Sequence, residues 1–199
     1  MNARFEQAIA LIDAENAQDP NADFLDGKPV PRELLYSQRL TNWILRLNPN
    51  ASEALRLAAR SQHICRWKIP RSQYPATRPG YHGWKNDLKR FHADLTSSIL
   101  ESVGYEEEMI ARVHSLNLKQ GFPADPECRT LEDALCLMFL EFQFGELAQK
   151  ATPEKIINAL RKSWAKMTPQ AREVALRLRY SDSEKALLHA ALEPHQVTS

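Results

Sequence analysis

The chain has 199 residues, 43% of them hydrophobic and only six of them glycine, enough to bury one substantial core and little more. Its 26 basic and 25 acidic residues leave a net charge of +1, which excludes a polycation built to coat nucleic acid, so any anion binding has to come from local clustering. Three cysteines, odd in number and without C-x-x-C spacing, speak against a disulfide framework or a zinc knuckle and fit a reducing, cytoplasmic setting.

The N-terminal stretch "MNARFEQAIALIDAEN" breaks its apolar residues with Arg4, Glu6 and Gln7, so it lacks the continuous apolar region of a signal peptide. Phe5, Ile9 and Ile12 instead predict an amphipathic helix. Asp13, Asn16 and Asp19 lie near one side of its end, where Pro20 stops it. Asp19 and Asn21 suit cap and turn roles, and ligand contact by Asp13 and Asn16 is the sharper alternative. Pro20 to Pro31 reads as a loop. Leu40, Trp43, Ile44 and Leu47 predict a second helix, with Tyr36 on the same inward stripe. Asn50 and Glu53 have capping-box spacing for the helix "EALRLAAR".

Lys68 to Gly83, "KIPRSQYPATRPGYHG", holds three prolines and two glycines and is expected to be an ordered loop or lid. Further on, "LEDALCLMFLE" is apolar almost all round and predicts a central helix. Its uninterrupted apolar run, Ala134 to Leu140, is far below the ~20 residues of a membrane span. Thr152-Pro153 and Thr168-Pro169 read as N-cap plus first-turn proline, opening two late helices. No segment alternates as a strand should. The expectation is an all-α single domain over residues 1–192 with about eight helices, followed by a frayed tail at 193–199.

Charge is uneven along the chain. From Arg56 to Arg90 there are nine basic residues against one acid, Asp87, and Trp67, Tyr74, Tyr81, Trp84 and Phe91 lie in or beside that stretch. Arginine forks bind phosphate bidentately and aromatic faces stack on bases, so segment 56–91 suits a phosphorylated or nucleotide ligand, small or RNA. A solvated basic face is the plain alternative. Ser37 and Ser61 lie on no strand-turn-helix elbow and form no nucleophile arrangement.

"LLYSQRLTNWILRL" followed by "SEALRLAARSQHICRW", then "RFHADLTSSILESVGYEEEMIARVHSL" and "LEDALCLMFLE", resembles the helices of the HD-domain phosphohydrolase superfamily over about residues 33–145, with the helices of 152–192 as an extension. In that pattern Tyr36 stands where the first histidine would be, Gln62 where the second would be and His63 where the paired aspartate would be, while Asp133 keeps the final aspartate. The combination "AARSQHICRW", "PRSQYPATRPGY", "KRFHADL" and "LEDALCLMFLE" resembles, over nearly the whole chain, an uncharacterised family, number 4202 of the domains of unknown function.

The HD resemblance implies a metal-dependent hydrolase of a phosphorylated small molecule, of the nucleotide class. His63, His92, His114 and Asp133 would then hold a divalent transition metal, acceptable to Mn, Fe, Ni, Co or Zn. His63, Asp133 and Glu132 are the candidate catalytic groups, and Tyr36, Gln62, Arg66, Arg71, Arg78 and Lys85 the candidate substrate-binding ones. Adjacent Glu132 and Asp133 point about 100° apart on a helix, so Glu132 is expected to orient an arginine of the basic segment rather than pair with Asp133. Asp133, on an apolar helix, needs a metal, a cation or a hydrogen-bonded neighbour, and His63 is the candidate by motif. A non-catalytic nucleotide- or RNA-binding module is the alternative. His82, His189 and His195 read as loop or terminal residues.

Overall fold

The structure, a computed structural model, describes residues 3–193; the predicted tail therefore lies, but for Glu193, outside the described residues, as does His195. It is mostly α-helical, with ten α-helices and one two-stranded sheet among the described residues. No described helix is long and apolar enough to cross a membrane, and Cys65, Cys128 and Cys136 are free thiols. The chain divides into two compact units, one up to Leu131 and one from Glu132 onward.

The first unit begins with α1 (Ala3–Asn16), which buries Phe5, Ala8 and Ile12. The expected loop after it is a β-hairpin, β1 (Ala22–Leu25) and β2 (Lys28–Pro31), antiparallel with Ala22 opposite Pro31. Asp26 and Gly27 both take positive φ, 50° and 75°, the geometry of a tight two-residue hairpin turn for which Asp-Gly is a strong signal. Then come α2 (Arg32–Leu47) and α3 (Glu53–Ser61). The cap of α3 is Ser52, whose side chain accepts from the Leu55 amide, rather than Asn50. Asn48 shapes the turn before it by accepting from the Asn50 amide.

Helix α4 (Arg78–Ser102) starts five residues before the expected end of the loop. Thr77 caps it by accepting from the Gly80 amide, and Pro79 sits in the first turn, where a missing N–H costs nothing. A Cβ on Gly80 would meet the Pro75 carbonyl oxygen at 2.3 Å, so this glycine permits the close crossing of loop and helix. The loop proper is 69–77. Helix α5 (Glu107–Leu118) returns along α4. α3 touches α1, α2, α4 and α5, and its Leu55, Leu57, Ala58 and Ala59 are fully buried. Small residues let the neighbouring helices come close. Ser61 and Asn117 are structural: Asn117 Nδ2 donates to Ser61 Oγ at 3.1 Å in the buried interior between α3 and α5.

The second unit takes up the end of α6 (Pro126–Met138), a π-helical stretch Phe139–Gln143, α7 (Phe144–Lys150), α8 (Pro153–Lys166), α9 (Pro169–Leu176) and α10 (Asp182–Leu192). The Thr-Pro pairs open α8 and α9 as predicted. α10 packs on α7 and α8, and Arg161 donates to the Ala190 and Ala191 carbonyls, satisfying acceptors that a helix end leaves open.

Candidate functional site

The hairpin delivers the chain to the start of α2, and that start is held from outside. Pro31 offers no side-chain cap. Instead Asp19 Oδ2 accepts from the Glu33 amide at 3.0 Å, while its Oδ1 accepts from the Asn21 amide and side chain. Asp19 thus has the turn role expected of it and also acts as a remote cap for α2. Asp13 and Asn16 serve as ties: Asp13 takes both nitrogens of the Arg60 fork, and Asn16 Oδ1 accepts from the Cys65 amide, while Asn16 Nδ2 is buried without a hydrogen-bond partner among the described residues.

α3 ends in a tight turn in which Cys65 adopts a left-handed φ of 52°. That turn aims His63 and Arg66 toward the start of α2. Tyr36 stacks on His63, ring centroids 4.2 Å apart and planes 15° from parallel. His63 Nδ1 lies 3.6 Å from Glu33 Oε2, and its Nε2 lies 3.4 Å from Arg66 Nη1. The guanidinium can only donate, so Nε2 accepts and the proton sits on Nδ1, facing Glu33. Burial, with the charges of Arg66, Lys119 and Lys85, holds the His63 imidazole well below the usual histidine range. Burial also pushes the Glu33 carboxyl up to about 7, Asp19 adding to the effect and Arg66 and Arg32 opposing it. A neutral imidazole beside a carboxyl that titrates near neutrality is the result.

His92 lies next to this pair, 5.9 Å from His63 between ring centroids. Its Nδ1 donates to the Ile64 carbonyl at 2.7 Å, leaving Nε2 a buried acceptor without a hydrogen-bond partner. Burial, then the neighbouring His63, lowers its pKa to about 3. Gln62 is buried too, its Oε1 unpartnered.

A pocket of about 170 Å³ opens beside this cluster. Its charged lining is Arg32, Glu33, Arg66 and Arg71, its indoles are Trp67 and Trp84, and Asn21, Ile69 and Pro70 complete it. Arg66 lies over the Trp84 ring at 5.0 Å, and Trp84 Nε1 donates to the Ile69 carbonyl. Arg71 donates to the Tyr74 and Pro75 carbonyls, which shapes the loop while its positive charge stays on the pocket wall.

The remaining predicted residues fall elsewhere. Arg78 and Lys85 are exposed on the first turns of α4 and do not line this pocket. His82, expected in a loop, is on the same turns, and His189 pairs with Glu193 at the end of α10. His114 Nε2 meets Asp94 at 3.1 Å on the partly exposed faces of α5 and α4. Asp133 and Glu132 belong to the second unit. Both oxygens of Asp133 are taken by Thr168, one by its amide at 2.8 Å and one by its hydroxyl at 2.6 Å. The neighbour that a buried Asp133 requires is therefore the N-cap of α9. Glu132 pairs with Lys166 at 2.6 Å, a lysine of its own unit.

Among the described residues no three of the His, Cys, Asp and Glu side chains are grouped to hold a metal ion. His63 presents one nitrogen to a guanidinium and the other to Glu33, and His92 has one nitrogen committed to a carbonyl. This donor set does not make a metal centre as it stands, since metal ligands need converging lone pairs. Sequence reasoning missed Arg32 and Glu33, and gave Asn21 its turn role without its place on the pocket wall. The Asp26-Gly27 turn signal was the available clue, because a hairpin there brings residues 21 and 32 side by side.

A family model described as a domain of unknown function, DUF4202, matches residues 6–188, so the chain belongs to that family. No curated protein matches it, and no solved structure does.

Proposed function

We propose that the protein binds a phosphorylated small molecule, of the nucleotide or phosphate-ester class, in the pocket between the hairpin, the start of α2 and the turn after α3. The observation that carries this reading is the convergence of Arg32, Arg66 and Arg71 on one cavity with Trp67 and Trp84. These arginines come from two separated stretches of chain. Guanidinium forks suit phosphate and indole faces suit a base. The cavity holds about six water volumes, room for a phosphate and a few neighbouring atoms, so the base of a nucleotide would lie at its open rim rather than inside it.

Hydrolysis of the phosphate ester is a second reading, favoured by Glu33 and His63. A carboxyl titrating at about 7 beside a neutral imidazole is suited to moving a proton at neutral pH. The carboxylate would take a proton from water as its oxygen bonds to phosphorus, and the proton would return to the leaving alkoxide as the ester bond breaks. A divalent transition metal, which the HD resemblance implies, would supply a Lewis acid for the phosphoryl oxygens, but no three His, Cys, Asp or Glu side chains among the described residues are grouped to hold one.

Titration calorimetry with nucleoside monophosphates and inorganic phosphate tests the binding. Arg66→Gln should weaken it by about 1.5 to 3 kcal/mol, roughly tenfold to a hundredfold. Absence of saturable binding by any phosphorylated ligand would overturn the pocket reading. Phosphate release from the same esters, with Mn, Fe, Ni, Co or Zn added in turn, separates enzyme from binder.

A further inference from the structure

The three arginines of the pocket account for an anion, and Glu33 does not. It lines the same small cavity yet is only 7% exposed. Its Oε2 is shut away beside His63 Nδ1, 3.6 Å off, with no hydrogen-bond partner among the described residues, so a ligand in the cavity meets the carboxylate at its other oxygen, Oε1. Its position is fixed: it is the second residue of a regular helix, and its amide is tied to Asp19. The charged and titratable groups facing it are Asp19 from the segment before the hairpin, Arg32 on its own helix, and His63 and Arg66 from the turn after α3.

With Glu33 ionised, above about pH 7, an anion without hydrogens that filled this cavity would lie against the carboxylate as well as the guanidinium groups. At close range to so buried a carboxylate that repulsion is strong. It becomes an attraction when the ligand carries an O–H where it meets the carboxylate, because O–H···O⁻ bonds are short and charge-assisted. A site built to receive such a donor rejects the analogue that lacks it.

Resting on the phosphate-pocket reading, we propose that Glu33 is the specificity determinant of the pocket and that the ligand presents a hydroxyl hydrogen beside its phosphate oxygens. The hydrogen belongs either to the P–OH of a hydrogen phosphate or to a neighbouring carbinol. Both satisfy the same acceptor, and two pairs of probes tell them apart.

Titration calorimetry on the full chain at about pH 8, where the carboxyl is mostly ionised, uses inorganic phosphate against sulfate and glycerophosphate against propyl phosphate. The first pair differs in a P–OH, the second in carbinol hydroxyls. Phosphate should exceed sulfate by at least about tenfold if the P–OH is the donor; glycerophosphate should exceed propyl phosphate by as much if the carbinol is. In Glu33→Gln, whose amide can donate as well as accept, the preference should shrink below about threefold. Equal binding within both pairs by the natural protein overturns the role of Glu33 and leaves the phosphate pocket standing. A preference unchanged in Glu33→Gln overturns it as well. No saturable binding of any of the four probes overturns the pocket and the proposal together. If Glu33→Gln does not fold, Glu33→Asp, which keeps the charge but draws the acceptor back, takes its place and should lower the preference in the same way.

Discussion

Glu33 sets the pH behaviour of the site as well as its shape. Its carboxyl titrates at about 7 in the folded chain against an ordinary 4.5. A raised carboxyl pKa means that the stability it contributes is complete below about pH 4.5 and is lost as pH rises through about 7. Above that range the native state holds a buried, ionised carboxylate at a cost on the order of 3 kcal/mol. Glu33→Gln should therefore gain stability relative to the natural protein across that window, read by denaturant unfolding at several pH values. A difference that stays constant with pH would contradict the placement of Glu33. His92 acts in the opposite sense. Its pKa is held at about 3 rather than 6.5, so its share of stability is present above about pH 6.5 and lost as pH falls toward 3. None of this is visible in the string "PRELLY", because the burial that shifts a carboxyl comes from helices distant in sequence.

At the scale of elements, the chain's own punctuation was legible where it acts locally. Thr152-Pro153 and Thr168-Pro169 start helices as read, and Tyr36 does point inward, onto His63. The hairpin was not legible by alternation because neither of its faces is buried: three of the four β1 residues are exposed. The start of α4 was hidden by Pro79 and Gly80, which look like breakers yet are tolerated in a first turn. The apolar surroundings of Asp133 in the sequence require a partner for its carboxylate, and it is buried; the motif points to His63, and the structure supplies Thr168. Thr168 both caps α9, through the Ala171 amide, and satisfies Asp133. Thr168→Ala should cost about 2 to 4 kcal/mol, a lost cap plus an under-bonded buried carboxylate. Thr168→Ser should recover most of it. Chemical denaturation measures both, and equal losses in the two variants would refute this account.

At the scale of the whole molecule, the basic run of 56–90 promises more free charge than the fold delivers. Arg60 is paired with Asp13 and Lys68 with Glu15, both acids of α1, and Arg90 lies 3.9 Å from Asp87. Arg56 lies over the Phe5 ring. A linear count of charges cannot register acids brought in from the start of the chain. Oligonucleotides bound through Arg32, Arg66 and Arg71 alone should show log K falling with log salt at a slope of about −2, that is three single-strand phosphate contacts. A slope of −5 or steeper, measured by fluorescence anisotropy, would mean that a broader basic face binds nucleic acid.

The single carboxylate of Asp19 holds two backbone amides, those of Asn21 and Glu33. One begins the path into the hairpin, and the other belongs to the residue whose side chain lines the pocket. Occupancy of the cavity thereby becomes readable without watching the ligand at all. Hydrogen–deuterium exchange at amides 21 and 33 should slow together when phosphate is bound, more than at Leu57 in the buried centre of α3. Exchange that slows at Leu57 as much as at the Asp19-bound amides would show the ligand reporting only on global stability.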